Sequence, residues 1–111
     1  MIRIVIADDH NLVRQGIRAL LEKAPEGDIK VVGEAENGMD ALSLTKRLLP
    51  DVLLLDIAMP DMNGPEALAK LSALNLPTKV LILSMYSGEM LVLLVLREGV
   101  CPERQKVKRA P

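Results

Sequence analysis

Three aspartates in this sequence stand where a carboxylate can take part in metal and phosphate chemistry. Asp8 and Asp9 directly follow the apolar run IRIVIA, and Asp56 directly follows the apolar run VLLL. If these runs are neighbouring parallel strands, their spacing of about 4.8 Å brings the three carboxylates together at one edge of the sheet. Clustered carboxylates repel one another, and a bound cation relieves the repulsion. A small pocket of oxygen ligands favours Mg²⁺.

Phosphoryl transfer is the reaction that this pattern indicates. A metal beside Asp56 neutralises a phosphoryl donor, so that the carboxylate can attack phosphorus and form an aspartyl phosphate. Ser84 ends a later apolar run, KVLIL, and its hydroxyl can donate to a phosphoryl oxygen. Taken alone, Asp9 suits a helix N-cap, Asp8 a solvated strand end and Ser84 a hydroxyl bonded to local backbone. The joint occurrence of the aspartates favours the site.

The elements that must position these residues alternate along the chain. Short apolar runs covered on both faces predict strands, and apolar residues at helical spacing predict helices. The predicted strands are 2–7, 29–35, 51–56 and 79–84. The predicted helices run from His10 to Pro25, from Asn37 to Pro50, from Asn63 to Pro77 and over Met90–Leu96. This order predicts an α/β fold with a parallel, doubly wound sheet.

The apolar stripes of the helices are predicted from their spacing. The first stripe is Leu12/Val13, Gly16/Ile17 and Leu20/Leu21; the second is Ala41, Leu42, Leu44, Thr45, Leu48 and Leu49, with Asn37 as N-cap; the third is Leu68, Leu71 and Leu74. Met90–Leu96 is apolar all round. We predict a helix there, and a strand after a turn at Ser87-Gly88 is the alternative.

Composition limits the class of protein. The chain has 111 residues, half of them apolar, which suits a single domain with one core. Residues 1–96 are acidic on balance and residues 97–111 are basic. The single cysteine, Cys101, fits a reducing compartment. The sequence contains neither a signal peptide nor an apolar run long enough to span a membrane, so we predict a cytoplasmic protein.

Four segments together resemble the receiver domain of bacterial two-component response regulators, in particular the NarL/LuxR-type subgroup. They are IVIADDHNLVRQGIRALL, VVGEAENGMDAL, DVLLLDIAMPDMNG and KVLILSMYS, and the resemblance covers residues 2 to about 99. It implies a flavodoxin-like fold with strand order 2-1-3-4-5 and a signalling role rather than a classical enzymatic one.

The resemblance also implies roles for single residues. Asp56 would accept a phosphoryl group from a sensor histidine kinase. Asp9, Asp56 and the backbone carbonyl of Ala58 would bind Mg²⁺, with Asp8 acting through water. Ser84 would be the switch hydroxyl.

The C-terminal part departs from the family pattern. We expect an incomplete receiver domain over 1–99 and a basic, irregular tail over 100–111, with the usual fifth strand and fifth helix missing or irregular. Lys106 lies at a distance from Ser84 that resembles that of the family's phosphate-binding lysine, although it also suits a basic tail. Tyr86 does not stand where the aromatic switch residue is expected. The tail is too short for a helix-turn-helix domain, so we predict that this chain itself binds no DNA.

The missing elements predict a second copy of the chain as partner. Without a fifth strand, KVLIL becomes an open sheet edge, and without a fifth helix one face of the sheet lacks a cover. We therefore expect a homodimer, formed by edge pairing or by a segment swap.

Three other functions fit parts of the sequence. A phosphatase of the haloacid-dehalogenase type requires a second aspartate where Ala58 stands. A P-loop is suggested by the spacing of Gly33 and Gly38, but Met39-Asp40 replaces the required Lys-Ser/Thr. A receiver-like interaction module that takes no phosphate remains the alternative, because the phosphate-binding lysine is not evident.

Overall fold

The computed structural model describes residues 1–23, 29–56, 64–83 and 88–99. Within them, strands and helices alternate in the predicted order: β1 (Ile2–Ala7), α1 (Asn11–Glu22), β2 (Ile29–Ala35), α2 (Gly38–Leu48), β3 (Val52–Leu55), α3 (Gly64–Leu74), β4 (Lys79–Ile82) and α4 (Gly88–Gly99). The four strands form one parallel sheet in the order β2-β1-β3-β4. The predicted fold class is confirmed, and residues 90–96 belong to a helix rather than a strand.

The sheet buries both of its faces because its central strands β1 and β3 are apolar at every position except Arg3. On one face Ile4, Ile6, Val52 and Leu54 form a cluster with residues of α1 and α4. On the other face Val5, Leu53 and Leu55 pack with residues of α2 and α3. Burial on both sides explains why these strands read as continuous apolar runs rather than as alternating ones.

The positions of the first three helices follow from strand order. Right-handed crossovers place α1 on one face, because β2 lies to one side of β1. They place α2 and α3 on the opposite face, because the chain then moves in the other direction to β3 and β4. The two apolar clusters have this arrangement.

Helix α4 lies on the α1 face, where Val95 is fully buried and Leu96 is partly buried. A right-handed crossover from β4 to a further strand at its outer edge would need the opposite face. The expectation that one sheet face lacks a cover is therefore wrong, because α4 covers it from within the chain. Among the described residues, β4 pairs only with β3.

The stripe predicted for α1 is also wrong in part. Leu12, Val13 and Leu20 are 85%, 44% and 47% exposed, whereas Arg14 and Leu21 are buried. The helix is rotated relative to the predicted stripe because Arg14 has partners in the interior, as described below. In α2 the predicted face is confirmed except at Leu49, which lies in the left-handed region after the helix and is exposed.

Two contacts fix α2. Asn37 accepts the backbone N–H of Asp40 at 2.8 Å, which confirms it as the N-cap. Gly33 lies inside β2, where a Cβ atom would meet a methyl carbon of Leu48 at 3.2 Å, so the glycine permits close packing of α2. A glycine in mid-strand cannot form a phosphate-binding loop with Gly38, which removes the P-loop alternative.

Charge substitution on α4 tests which of its sides faces the sheet. We expect Val95→Asp to lower the free energy of unfolding by about 3–5 kcal/mol, because it buries an unpaired charge. The matched variant Leu93→Asp, at a position 58% exposed, should cost about 1 kcal/mol or less. Urea unfolding measures both. Equal losses would contradict the packing of α4 on the α1 face.

Candidate functional site

Acidic side chains converge at the carboxyl end of the sheet. Asp8, Asp9, His10 and Asp56 each offer one ligand atom, and these atoms all lie within 4.8 Å of one another. The parallel register pairs Ala7 with Leu55, so the residues that follow β1 and β3 emerge side by side. The backbone N–H of Asp56 donates to the carbonyl of Ala7 at 2.8 Å and fixes this arrangement. The predicted convergence of the three aspartates is confirmed.

Asp8 is buried, with 4% of its surface exposed, so it is not a solvated strand end. Its backbone N–H donates to the carbonyl of Ala35 at 3.0 Å, which continues the ladder with β2. Its Oδ1 accepts the backbone N–H of His10 at 2.8 Å and lies 3.2 Å from Nδ1 of that imidazole. Bonds of this kind, two residues along, are a common turn device of aspartate. They hold the chain between β1 and α1.

One oxygen of Asp9 has no hydrogen-bond partner among the described residues. His10, not Asp9, occupies the N-cap position of α1. Oδ1 of Asp9 is shielded from solvent, and no described donor forms a hydrogen bond to it. Nδ1 of His10 lies 3.0 Å away, an ion pair only when the ring is protonated. A shielded, unsatisfied carboxylate oxygen is costly. A cation would satisfy it, so these carboxylates fit Mg²⁺.

A buried arginine fixes the backbone of this loop. The guanidinium of Arg14 donates to the carbonyl of Asp8, to Oδ1 of Asn11 at 3.0 Å and to Oε1 of Glu34 at 3.0 Å. Arg18 donates to the other carboxylate oxygen of Glu34 at 2.6 Å. This set of bonds connects β2 and α1 to the loop that carries the acidic groups. We call it the Arg14 network.

Charge within the Arg14 network is balanced at Glu34. Burial alone would raise the pKa of this carboxyl, but hydrogen bonds and charges from Arg18 and Arg14 outweigh it, and the pKa is lowered. The hydrogen bond to Glu34 raises the pKa of Arg18 in turn. Glu34 is therefore ionised at neutral pH and keeps the buried Arg14 paired.

Sequence reasoning found three of the four clustered residues and missed His10 and the Arg14 network. The sequence did contain a signal for the Arg14 network: a polar stripe at helical spacing on α1, formed by Asn11, Arg14, Arg18 and Glu22. The predicted residues Ala58, Ser84, Tyr86 and Lys106 lie outside the described residues, as does Cys101. No helix in the described parts of the chain is long and apolar enough to cross a membrane.

The sheet order and the acidic cluster define a response regulator receiver domain. The family model described as "Response regulator receiver domain" matches residues 4–101. The chain belongs to this family.

Two of its curated relatives are regulatory proteins named NarL. It is 42% identical over 98 residues to "Probable transcriptional regulatory protein NarL" of Mycobacterium tuberculosis, a match covering 88% of this chain and 44% of that protein. It is 42% identical over 96 residues to "Nitrate/nitrite response regulator protein NarL" of Escherichia coli, covering 86% of this chain and 44% of that protein. The chain thus spans less than half the length of these curated relatives.

A solved structure supports the same assignment. The signal receiver domain of the putative response regulator NarL from Mycobacterium tuberculosis superposes with a TM-score of 0.69 at 40% identity, covering 88% of this chain and 77% of that one.

Removing the Glu34 carboxylate should make stability less sensitive to acid. A lowered folded pKa contributes stability above the unfolded pKa, and this contribution is lost as the pH falls through the folded value. At neutral pH we expect Glu34→Gln to lower the free energy of unfolding by about 1–3 kcal/mol. The difference from the unmodified chain should shrink as the pH falls below about 4.5, the unperturbed value.

Urea unfolding at a series of pH values measures this difference. The control is Glu36→Gln, at an exposed carboxylate two residues along the chain. A Glu34→Gln difference that stays constant from neutral to acidic pH would contradict the ion pairs assigned to Glu34.

Proposed function

We propose that Asp56 is the phosphoacceptor of this receiver domain. A carboxylate oxygen of Asp56 would attack the phosphorus of a phosphohistidine on a sensor histidine kinase. An O–P bond forms, the P–N bond breaks, and its electron pair returns to the imidazole. The product is an aspartyl phosphate. The convergence of Asp56 with Asp8 and Asp9 is the observation that carries this proposal.

Burial favours Asp56 over Asp8 as the nucleophile. Asp8 is 4% exposed, and its Oδ1 already accepts a hydrogen bond from the backbone of His10. Asp56 is half-buried at the end of a fully buried strand. A phosphoryl donor can therefore approach Asp56 from solvent, while the strand behind it holds the carboxylate in a fixed position.

Mg²⁺ is the proposed cofactor, bound by Asp9, Asp56 and the backbone carbonyl of Ala58, with Asp8 acting through water. When bound, it would supply positive charge for the oxygens of the transferring phosphoryl group. The shielded oxygen of Asp9 supports this assignment. The roles of Ala58, of Ser84 as switch hydroxyl and of Lys106 as phosphate-binding group rest on the family resemblance alone.

The Arg14 network would serve the reaction as a positioning device. The guanidinium of Arg14 donates to the carbonyl of Asp8, and Oδ1 of Asp8 accepts the backbone N–H of His10 in the turn into α1. The acidic loop can then keep its shape while like charges approach each other. Arg14 contacts no reacting atom in this scheme and acts only through the backbone of Asp8.

The kinase and the output are inferred from the family. Phosphorylation would switch a transcription-regulating output that lies outside this sequence, in keeping with relatives of which the match covers only 44%. The proposed compartment is the cytoplasm. We also propose the domain bounds: a receiver domain over 1–99, incomplete relative to the family pattern, and a basic tail over 100–111.

A small phosphodonor tests the phosphoacceptor directly. Incubation with acetyl phosphate and Mg²⁺ should add the mass of one phosphoryl group to the intact chain, because the carboxylate attacks phosphorus without needing the kinase. We expect Asp56→Asn to abolish the gain and a chelator to suppress it. Intact-protein mass spectrometry measures both, with Asp40→Asn, an exposed acid on α2, as control.

Either of two outcomes would overturn this proposal. One is that the folded protein gains no mass. The other is that Asp56→Asn gains as much as the unmodified chain. The absence of any gain would favour the interaction module.

We propose in addition that the chain forms a homodimer through β4. The described part of β4 is half-buried at Val80, Leu81 and Ile82 and pairs with β3 on one side. Its outer edge therefore offers backbone groups to a second copy, by edge pairing or by a segment swap. Because α4 covers the α1 face, the strand edge alone favours the dimer.

Sedimentation equilibrium tests the dimer. We expect a mass of two chains at micromolar concentration, because an open apolar edge is costly in a monomer. Amide hydrogen exchange at residues 79–82 should slow as concentration rises. A single-chain mass throughout the micromolar range would refute the dimer.

A further inference from the structure

A surface groove between α2 and α3 lies apart from the acidic cluster. This open groove has a volume of about 620 Å³, and Met39, Leu42 and Leu74 line its apolar side. Met39 is 60% exposed and Leu74 is 38% exposed, so two large apolar side chains of this groove face solvent. Exposed apolar surface with a polar rim is typical of an interaction site.

The rim of the groove carries one sign of charge. Lys46, Arg47 and Lys70 line it, and among the described residues no aspartate or glutamate does so. None of the three cations makes a hydrogen bond or ion pair within the parts of the chain that the structure describes. Lys46 and Arg47 lie in the last turn of α2, where they also complement the helix dipole. Lys70 lies inside α3 and not in its last turn, so the helix dipole does not explain a cation at this position.

The groove suits a helix better than a small ligand. Most of its lining residues are exposed, so an occupant is covered on one side only. Small ligands are usually buried over about 70–90% of their surface. The two bordering helices have 11 residues each, a length of about 16 Å, which matches about three turns of an added helix. Laying the apolar face of a helix into such a groove is a recurrent mode of recognition.

The exposed side of α4 in a second copy of this chain does not provide the matching charge. The exposed side of α4 carries Met90 and Leu93 and continues to Arg97, a cation. Placing that side in the groove would bring Arg97 towards Lys46, Arg47 and Lys70. Like charges across an interface disfavour association.

We propose that the α2–α3 groove binds an acidic amphipathic helix of a partner protein. Apolar side chains of the partner, spaced at one helical turn, would pack on Met39, Leu42 and Leu74. Carboxylates flanking that stripe would pair with Lys46, Arg47 and Lys70. The interaction uses none of the residues proposed for phosphoryl transfer.

A pair of designed peptides tests this proposal on the whole chain. The first is a fluorescein-labelled helical peptide of about 14 residues with leucines at i, i+4 and i+7 and glutamates beside them; the second has lysines in place of the glutamates. Fluorescence anisotropy should show at least tenfold tighter binding of the acidic peptide, and added salt should weaken that binding.

Two protein variants assign the binding to the groove. The combined variant Lys46→Glu, Arg47→Glu and Lys70→Glu should weaken binding of the acidic peptide at least tenfold. The matched control Lys23→Glu, Lys30→Glu and Arg97→Glu, at exposed cations outside both the groove and β4, should change it no more than twofold. Met39→Ser, which removes an exposed apolar contact, should weaken it severalfold. Circular dichroism verifies that each variant is folded.

Three outcomes would overturn the proposal. One is that the two peptides bind equally well. Another is that the two triple variants bind the acidic peptide equally well. The third is that dodecanoate binds in the groove while the acidic peptide does not, which would identify a small amphiphile as the occupant.

Discussion

The backbone ladder between β1 and β3 is the interaction on which the acidic site depends. It places the residues after Ala7 and Leu55 side by side, and the bond from Asp56 N–H to the Ala7 carbonyl extends it to the last residue needed. Carboxylates brought this close repel one another. The strands that carry them are buried on both faces, so the carboxylates cannot move apart without opening the core.

The Arg14 network satisfies a backbone carbonyl at the same edge of the sheet. A loop that joins a buried strand to a helix leaves backbone carbonyls to be satisfied, and the carbonyl of Asp8 lies in such a loop. Arg14 donates to that carbonyl from a buried position, and Glu34 on β2 pairs with the guanidinium. A charged side chain can occupy the interior side of α1 because it is paired there. The same pairing explains why apolar residues of α1 face solvent instead.

Helix α4 gives this domain its particular shape. It covers the α1 face of β1 and β3 and completes the apolar cluster there through Val95. Its position on that face differs from the one that a right-handed crossover to a fifth strand beside β4 would require. The domain closes its core by folding α4 back over the sheet, while β4 keeps an open edge in the described residues. In the described part of the chain, α4 closes the core but does not protect the edge of β4, whereas a further strand and helix would do both.

The sequence by itself determined the alternation of elements, the parallel sheet and the three aspartates of the site. These features follow from local patterns: apolar runs such as VLLL, the cap at Asn37 and the placement of Asp8, Asp9 and Asp56 directly after strands. The tertiary structure decided which side of α1 is buried, because only the fold brings Glu34 next to Arg14, twenty residues earlier. It also decided which face α4 covers, since a helix that is apolar all round carries no directional information of its own. The spacing of apolar residues predicts locally which side of an element is buried. The partner that allows a charged residue to be buried lies far away in the chain, so local spacing cannot predict that residue's burial.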